Sequence, residues 1–256
     1  MNKKIKKINA AILIIGNEIL SGRTLDQNTN FIAKRCSKIG ILLEEVIIIP
    51  DVEKKIIKSV KDFSKKYNNV FVTGGIGPTH DDITAKSVAT AFKKKLILNK
   101  QAKNLLIDYY NRSRFELNKS RMKMAYLPSR STLILNPVSG APGFKVKNVW
   151  VMAGVPKIMQ SMFLNSIEPK LKKGKITKTR SVKVNKPEGD IVDIINNINK
   201  EFVPVDIGSY PFFLPPKVGT NIVFRCKDDK LLDKSIKKFC SILKSNGIFF
   251  SVEKNI

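Results

Sequence analysis

The stretch from Thr73 to Asp82, TGGIGPTHDD, crowds three glycines, a proline, the chain's only histidine and two adjacent carboxylates into one turn. Gly74, Gly75 and Gly77 lack the Cβ that keeps a backbone from positive φ or from close approach to a ligand. Their N–H groups, with those opening a following helix, suit an anionic oxygen such as a phosphate. The spacing matches neither GxGxxG nor GxxxxGK[ST]. The same glycines therefore also suit a tight strand-to-helix turn that Asp82 caps. Asp81 and Asp82 would repel a phosphate held by amides alone. A bridging Mg²⁺ or similar hard cation removes the conflict, because carboxylate and phosphate oxygens can share its shell. Thr79 and Thr84 offer hydroxyls to phosphate or metal-bound water. His80 rules out a multi-histidine zinc site and is either an exposed loop residue or a phosphate contact.

Two more polar turns follow apolar runs: GNEILSG at 16–22 and AGVP at 153–156. Glu18 in the first is a second metal ligand, a partner for a sugar or base edge, or a turn-stabilising acid. NPVSGAPGF at 136–144 surrounds a lone Ser139 with prolines and glycines. Without GxSxG it is not a serine nucleophile elbow, and a rigid wall over a crevice is more natural. Lys119, Arg121 and Lys123 recur at every second position, as cations near phosphates or as a solvated helix face.

The elements that must position these groups follow a simple rhythm. INAAILII at 8–15 is a continuous apolar run, as in a strand covered on both faces of a parallel sheet. A helix from an Asp26 cap to Gly40 puts Phe31, Ile32, Cys36 and Ile39 on one stripe. Then come a strand ending at Pro50, a helix begun by Asp51 through Val52, Ile56, Val60 and Phe63, and the strand NVFVT. The helix DITAKSVATAF, a helical region at 102–124, the strands TLILN and NVWVMA, and a helix opened by Gly154, Val155 and Pro156 complete the first part. This predicts a three-layer α/β/α sandwich on a mostly parallel sheet. Ligands bind such sheets at the carboxyl ends of strands, where all three polar turns fall. KLKKGKITK marks a linker, dividing a domain at 1–170 from a small α+β domain at 171–256. The latter runs in the order βαββαβ of a split ferredoxin-like unit.

Composition sets outer limits. With 47 Lys+Arg against 21 Asp+Glu the formal net charge is +26. The lysines fall mostly as pairs on polar helix faces, and no dedicated cluster of arginines and aromatics stands out. A solvated lysine surface is thus expected, with no specific nucleic-acid partner. Cys36, Cys226 and Cys240 are too dispersed for a disulfide framework or a CxxC zinc site, which fits a cytoplasmic protein. The N-terminal lysines and apolar run imitate a secretory signal but pass straight into Asn17 and Glu18 without a cleavage site. No apolar run approaches a membrane span.

The ordered set GNEILSG, DQNTNFIAKRCSKIGI, TGGIGPTHDDITAKSVA, NPVSGAPGF and AGVPKIMQSMF resembles the molybdopterin-binding domain of the competence/damage-inducible protein A family, over about residues 9–170. The tail, with VDIGSYPFF, is similar to the small domain that follows it there and in eukaryotic FAD synthases. The resemblance implies a metal-dependent pyrophosphatase acting on ADP-ribose or FAD, with Mg²⁺ or Co²⁺ and potassium. It implies as alternatives adenylyl transfer to molybdopterin or a non-catalytic pterin- or nucleotide-binding module. It places the phosphate loop on Thr73–Thr79, the essential acid on Asp81 or Asp82, and an ancillary acid on Glu18 or Asp51. Metal is expected on Asp81, Asp82 and Glu18. Substrate contacts are expected at Gly16, Glu18, Ser21, Gly22, Asn28, Thr73, Gly74, Gly75, Gly77, Pro78, Thr79, Lys119, Gly140, Ala141, Pro142, Gly154 and Pro156. A homodimer or homotrimer is implied, and the nicotinamide-nucleotide deamidase domain of many members is expected to be absent. Ser139-Gly140 departs from the family's more usual Gly-Thr pair.

Overall fold

The computed structural model describes residues 7–214 and 217–253. It divides into two compact units, one running through Gly174 and the other starting at Lys175.

The first unit contains β1 (Asn9–Ile15), the single turn α1 (Asn17–Leu20), α2 (Asn28–Lys38), β2 (Leu42–Ile49), α3 (Glu53–Lys66) and β3 (Asn69–Thr73). It continues through α4 (Thr84–Ala91), β4 (Leu96–Leu98), α5 (Lys100–Asn111), α6 (Lys119–Met122), β5 (Tyr126–Pro128), β6 (Thr132–Ile134), β7 (Gly143–Val146), β8 (Val149–Met152) and α7 (Pro156–Met162). The main sheet has the order β2-β1-β3-β8-β7-β6, with β4 and β5 forming a separate pair. The pairings of β2, β1, β3 and β8 are parallel, whereas β7 and β6 join antiparallel.

The apolar run of β1 feeds both outer layers, because alternate side chains leave opposite faces of a strand. Ala11, Leu13 and Ile15 pack with Ile56, Val60 and Phe63 of α3 and Val88 of α4. Ala10, Ile12 and Ile14 pack with Ile32 and Cys36 of α2 and with Met159 and Phe163 beyond the sheet. A side chain such as Phe71 is fully buried here, and removing one typically costs about 3–5 kcal/mol. The expected sandwich and its mostly parallel sheet are therefore present.

Local departures have local causes. Asp26 does cap α2, accepting from the amides of Asn28 and Thr29 at 2.9 and 3.2 Å. Asp51 does not begin α3: the residue before that helix is Val52, and the Asp51 carboxylate accepts instead from the Asn17 amide at 3.0 Å. The expected 102–124 helix breaks after Asn111 and resumes as α6, which Asn118 caps through the Arg121 amide. Gly143 and Phe144, read as the end of the NPVSGAPGF segment, instead open a strand, β7, that runs to Val146 and pairs with β8.

The second unit contains β9 (Lys178–Val184), α8 (Val192–Glu201), β10 (Asp206–Leu214), β11 (Lys217–Cys226), α9 (Asp229–Ser245) and β12 (Phe250–Glu253). Its sheet order, β10-β11-β9-β12, inserts β11 between β9 and β10, with every pairing antiparallel. That is the split βαβ arrangement. Asp228 caps α9 through the amides of Lys230 and Leu231, and Leu232, Ile236, Phe239 and Leu243 form its buried stripe over the sheet.

Candidate active site at the carboxyl edge of the sheet

Because β1, β3 and β8 are parallel neighbours, the turns that follow them emerge at one edge. Gly74 is where they meet. Its φ is +99°, and its amide donates to the Met152 carbonyl at 3.1 Å. A side chain there would strike the Ile15 carbonyl, and the Cβ position of Gly154 lies 3.3 Å from the Gly74 Cα. Gly75, at φ +66°, sits against the Thr84 hydroxyl. These glycines are thus required by the protein's own packing.

Two cavities open at this edge. One of about 350 Å³ is lined by Glu18, by Gly74, Gly75, Ile76, Gly77, Pro78 and Asp82, by Asn136, Ser139 and Ala141, and by Ala153, Gly154, Val155 and Ile158. The other, about 600 Å³, adjoins it at Ile76, Gly77, Asp82 and Met124. Met122, Tyr126, Leu127 and Phe144 give it an apolar wall, and Thr79, His80, Lys86, Lys119 and Lys123 a polar mouth.

The two aspartates have different surroundings. The Asp82 carboxylate turns into its own loop, accepting from the Thr79 amide at 2.8 Å and the Thr79 hydroxyl at 2.5 Å. It occupies the space that a Gly77 side chain would need, with its Oδ2 2.6 Å from that Cβ position. It does not cap α4, whose preceding residue is Ile83 and whose first turn has no side-chain cap. Asp81 is exposed. The nearby Thr79 hydroxyl first, then Asp81's own amide and His80, hold its carboxyl below the usual range.

Asp51 joins them from the end of β2. Burial pushes its carboxyl up, and the charges of Glu18 and Asp81 push it further, against the lowering by the Asn17 amide. Like charges this close favour a cation among them. Yet no three His, Cys, Asp or Glu side chains among the described residues converge enough to hold a metal unaided. The expected set of Glu18, Asp81 and Asp82 is therefore not a closed cage, since Asp82 is engaged with Thr79. A cation at these acids would need ligand oxygens to complete its shell.

Of the other expected contacts, Thr79, Lys119 and Pro142 line the larger cavity, and His80 is an exposed loop residue at its mouth. Asn28 is buried and donates from Nδ2 to the Gly154 carbonyl. Thr73 is buried at the end of β3, and Pro156 is the first residue of α7.

Several residues fall outside either cavity. Gly16 is buried, with the Glu18 carboxylate folded over it, while Ser21 and Gly22, just after α1, are exposed. Gly140, at φ +71°, packs against the Tyr109 side chain. The Thr84 hydroxyl is buried and donates to the Gly74 carbonyl at 3.0 Å, so it is unavailable to phosphate. Arg121 turns away onto the rings of Tyr110 and Phe115.

Asn136 was not singled out in the sequence, although Asn-Pro is a turn signal. Its side chain builds the wall of the smaller cavity. Nδ2 donates to the Ser139 hydroxyl at 2.6 Å and the Ala141 carbonyl at 2.9 Å, and Oδ1 accepts from the amides of Val138 and Ser139. Ser139 is thereby a structural hydroxyl.

The family described as "Probable molybdopterin binding domain" matches residues 11–173. The solved structure of CinA from Thermoplasma acidophilum, described as of unknown function, is 30% identical. It covers 62% of this chain and 95% of its own, with a TM-score of 0.57. The chain belongs to the CinA-like family of molybdopterin-binding-domain proteins. A CinA-like protein of Desulforapulum autotrophicum is 37% identical over 162 residues, 62% of this chain and 38% of that one. An Archaeoglobus fulgidus protein is 37% identical over 234 residues, covering 91% of this chain and 96% of its own. Residues 177–251 match the middle domain of FAD synthase. Among the described residues no helix is long and apolar enough to cross a membrane.

Proposed function

We propose that this protein is a metal-dependent hydrolase of nucleotide pyrophosphates, with ADP-ribose as the representative substrate. The observation that carries the reading is the pair of cavities meeting at Gly77 and Asp82. A pyrophosphate diester has two organic ends and a charged centre. One end suits the apolar wall of Met122, Tyr126 and Phe144; the other suits the narrower slot between the Asn136 loop and Gly154. The diphosphate then lies over the glycine loop, within reach of Lys119 and Lys123.

When bound, Mg²⁺ or Co²⁺ would neutralise phosphate charge and acidify a water. Asp81, with Glu18 and Asp51 beside it, would hold it. Asp82 keeps the Thr79 amide and hydroxyl fixed, which shapes the loop without contacting metal. Water adds to one phosphorus, the bridging P–O bond breaks, and AMP and ribose 5-phosphate leave with the two water hydrogens shared between them.

Purified protein with ADP-ribose and Mg²⁺, Co²⁺ or K⁺ is expected to release AMP, and Asp81→Asn to abolish release while retaining the folded circular-dichroism spectrum. FAD, and ATP with molybdopterin, serve as parallel substrates. Transfer of AMP to molybdopterin without ADP-ribose hydrolysis would replace this reading with the adenylyltransferase one. Nucleotide binding without turnover of any of them would leave a binding module.

A further inference from the structure

We propose that Lys119 and Lys123 select nucleotides carrying a further phosphate, a monoester on the ribose 2′ or 3′ oxygen, over nucleotides with free hydroxyls there. This deepens the hydrolase reading and rests on its placement of a nucleotide across the two cavities.

The cavities differ in the sign of their charges. Among the described residues, the charged side chains lining the smaller one are the carboxylates of Glu18 and Asp82. The larger one shares Asp82 but adds Lys86, Lys119 and Lys123, with His80 beside them. Asp82 is engaged with Thr79. A ligand that spans both cavities therefore meets cations at the end held in the larger one. A base and an unmodified ribose bring no charge to that end, because the diphosphate sits where the cavities meet, at Gly77.

The direction of the two lysines narrows the ligand. Lys119 opens α6, and Lys123 follows one turn later at the start of a 3₁₀ turn (Lys123–Ala125). Side chains four apart on a helix share a face. That face is the cavity, for both lysines line it, whereas Arg121 between them turns onto the rings of Tyr110 and Phe115. The segment is held in place by the Asn118 side chain, which accepts from the Arg121 amide at 2.9 Å, and by the Arg121 guanidinium, which donates to the Glu116 carbonyl. Lys86 is tied to Glu53 at 3.2 Å. Among the described residues no carboxylate pairs with Lys119 or Lys123, so two ammonium groups face the cavity without an anion of their own chain.

A phosphate monoester carries about 1.5 to 2 negative charges at neutral pH, which two ammonium groups match. Lysine meets phosphate as a point charge, without the fixed planar fork of arginine. The apolar wall of Met122, Tyr126 and Phe144 suits the base. The anion therefore belongs on the sugar that joins this base to the diphosphate, where the 2′ and 3′ oxygens are the free positions.

Isothermal titration calorimetry of the full chain, without added metal, tests this with AMP, adenosine 2′,5′-bisphosphate and adenosine 3′,5′-bisphosphate. At least one bisphosphate should bind about tenfold tighter than AMP, as two solvent-exposed ion pairs allow, and the advantage should shrink as salt rises. Lys119→Ala and Lys123→Ala should each reduce it about threefold, while Lys123→Arg should retain it. Arg114→Ala removes an exposed charge from the loop before α6 that lines neither cavity, and should leave the advantage unchanged. Equal affinity for all three nucleotides, or an advantage that survives the Lys119→Ala/Lys123→Ala double variant, would overturn the proposal. A parallel assay of ADP-ribose turnover keeps the two readings apart. Turnover without a bisphosphate advantage sinks the lysine proposal alone, an advantage without turnover sinks only the hydrolase reading, and the absence of both sinks both.

Discussion

The side-chain amide of Asn28 donates a 2.7 Å hydrogen bond to the carbonyl oxygen of Gly154. It fastens the start of α2 to the turn after β8, and that turn in turn lies against Gly74. The start of α2 and the turns after β8 and β3 are therefore one mechanical unit, in which α2 holds the β8 turn and that turn supports Gly74.

Removing this bond should loosen that unit. Asn28→Ala leaves a carbonyl without its partner beside a buried site, a defect that costs about 1–3 kcal/mol. Urea unfolding should show a lower midpoint, and nucleotide affinity should fall with it. Ionised Asn28→Asp, similar in shape but with no N–H to donate, should behave no better than alanine. An unchanged midpoint in both variants would show that the bond contributes nothing.

The layers were legible in the sequence because burial imposes periodicity: the unbroken run of β1 and the spaced Ile56, Val60 and Phe63 of α3 each have one reading. The common edge of the three turns followed from parallel pairing. Side-chain direction did not follow. Asp81 and Asp82 are adjacent and identical in type, yet only Asp82 turns inward, because Gly77 leaves room for it. Asp51 read locally as the start of a helix, and only the resemblance offered it as an ancillary acid, since nothing local reveals that the Asn17 amide would claim its carboxylate. Gly140 read as part of a ligand wall, but its bare backbone accommodates Tyr109 from a distant helix.

The burial of Asp51, and after it the nearby charges of Glu18 and Asp81, has a thermodynamic signature. Its ionised form is disfavoured in the folded protein, so neutralising it should help the fold. Asp51→Asn keeps an oxygen for the Asn17 amide and should stabilise the fold at neutral pH by less than about 1 kcal/mol, because the site is open to solvent, seen as a small rise in melting temperature. The same variant should show a smaller Mg²⁺-induced stabilisation than the parent. Calorimetry with and without metal checks both; a destabilised variant would contradict the crowding.

Cys36 offers a pH test far from the site. Burial, and secondarily the charge of Glu168, push its thiol up to about 12. An unfolded cysteine ionises near 8.5, so above that pH the unfolded chain releases a proton that the folded chain retains. The Cys36 contribution to stability is therefore complete below about pH 8.5 and declines as pH rises toward the folded value. Compared with Cys36→Val, the parent should lose stability more steeply between these limits in urea titrations. Identical slopes would remove the effect. In native protein the half-buried Cys240 should also react with thiol reagents before Cys36 does.

Gly77→Ala separates loop shape from fold. Gly77 is not in the left-handed region, so alanine suits its backbone and should even gain about 0.4–1 kcal/mol by restricting the unfolded chain. Its methyl group, however, would fall 2.6 Å from an Asp82 carboxylate oxygen, displacing the group that holds Thr79. The expected result is a protein of near-parental stability whose ADP-ribose hydrolysis falls at least tenfold, about 1.4 kcal/mol of transition-state stabilisation. Gly22→Ala should do the reverse. At φ +72° with open space around it, it should lose roughly 1–2 kcal/mol of stability to backbone strain and keep its turnover. If both variants lose activity only in proportion to stability, the Asp82–Thr79 bracket has no role beyond folding. Activity loss confined to Gly77→Ala assigns the bracket to the reaction, because the two substitutions add the same methyl group and differ in whether it reaches Asp82.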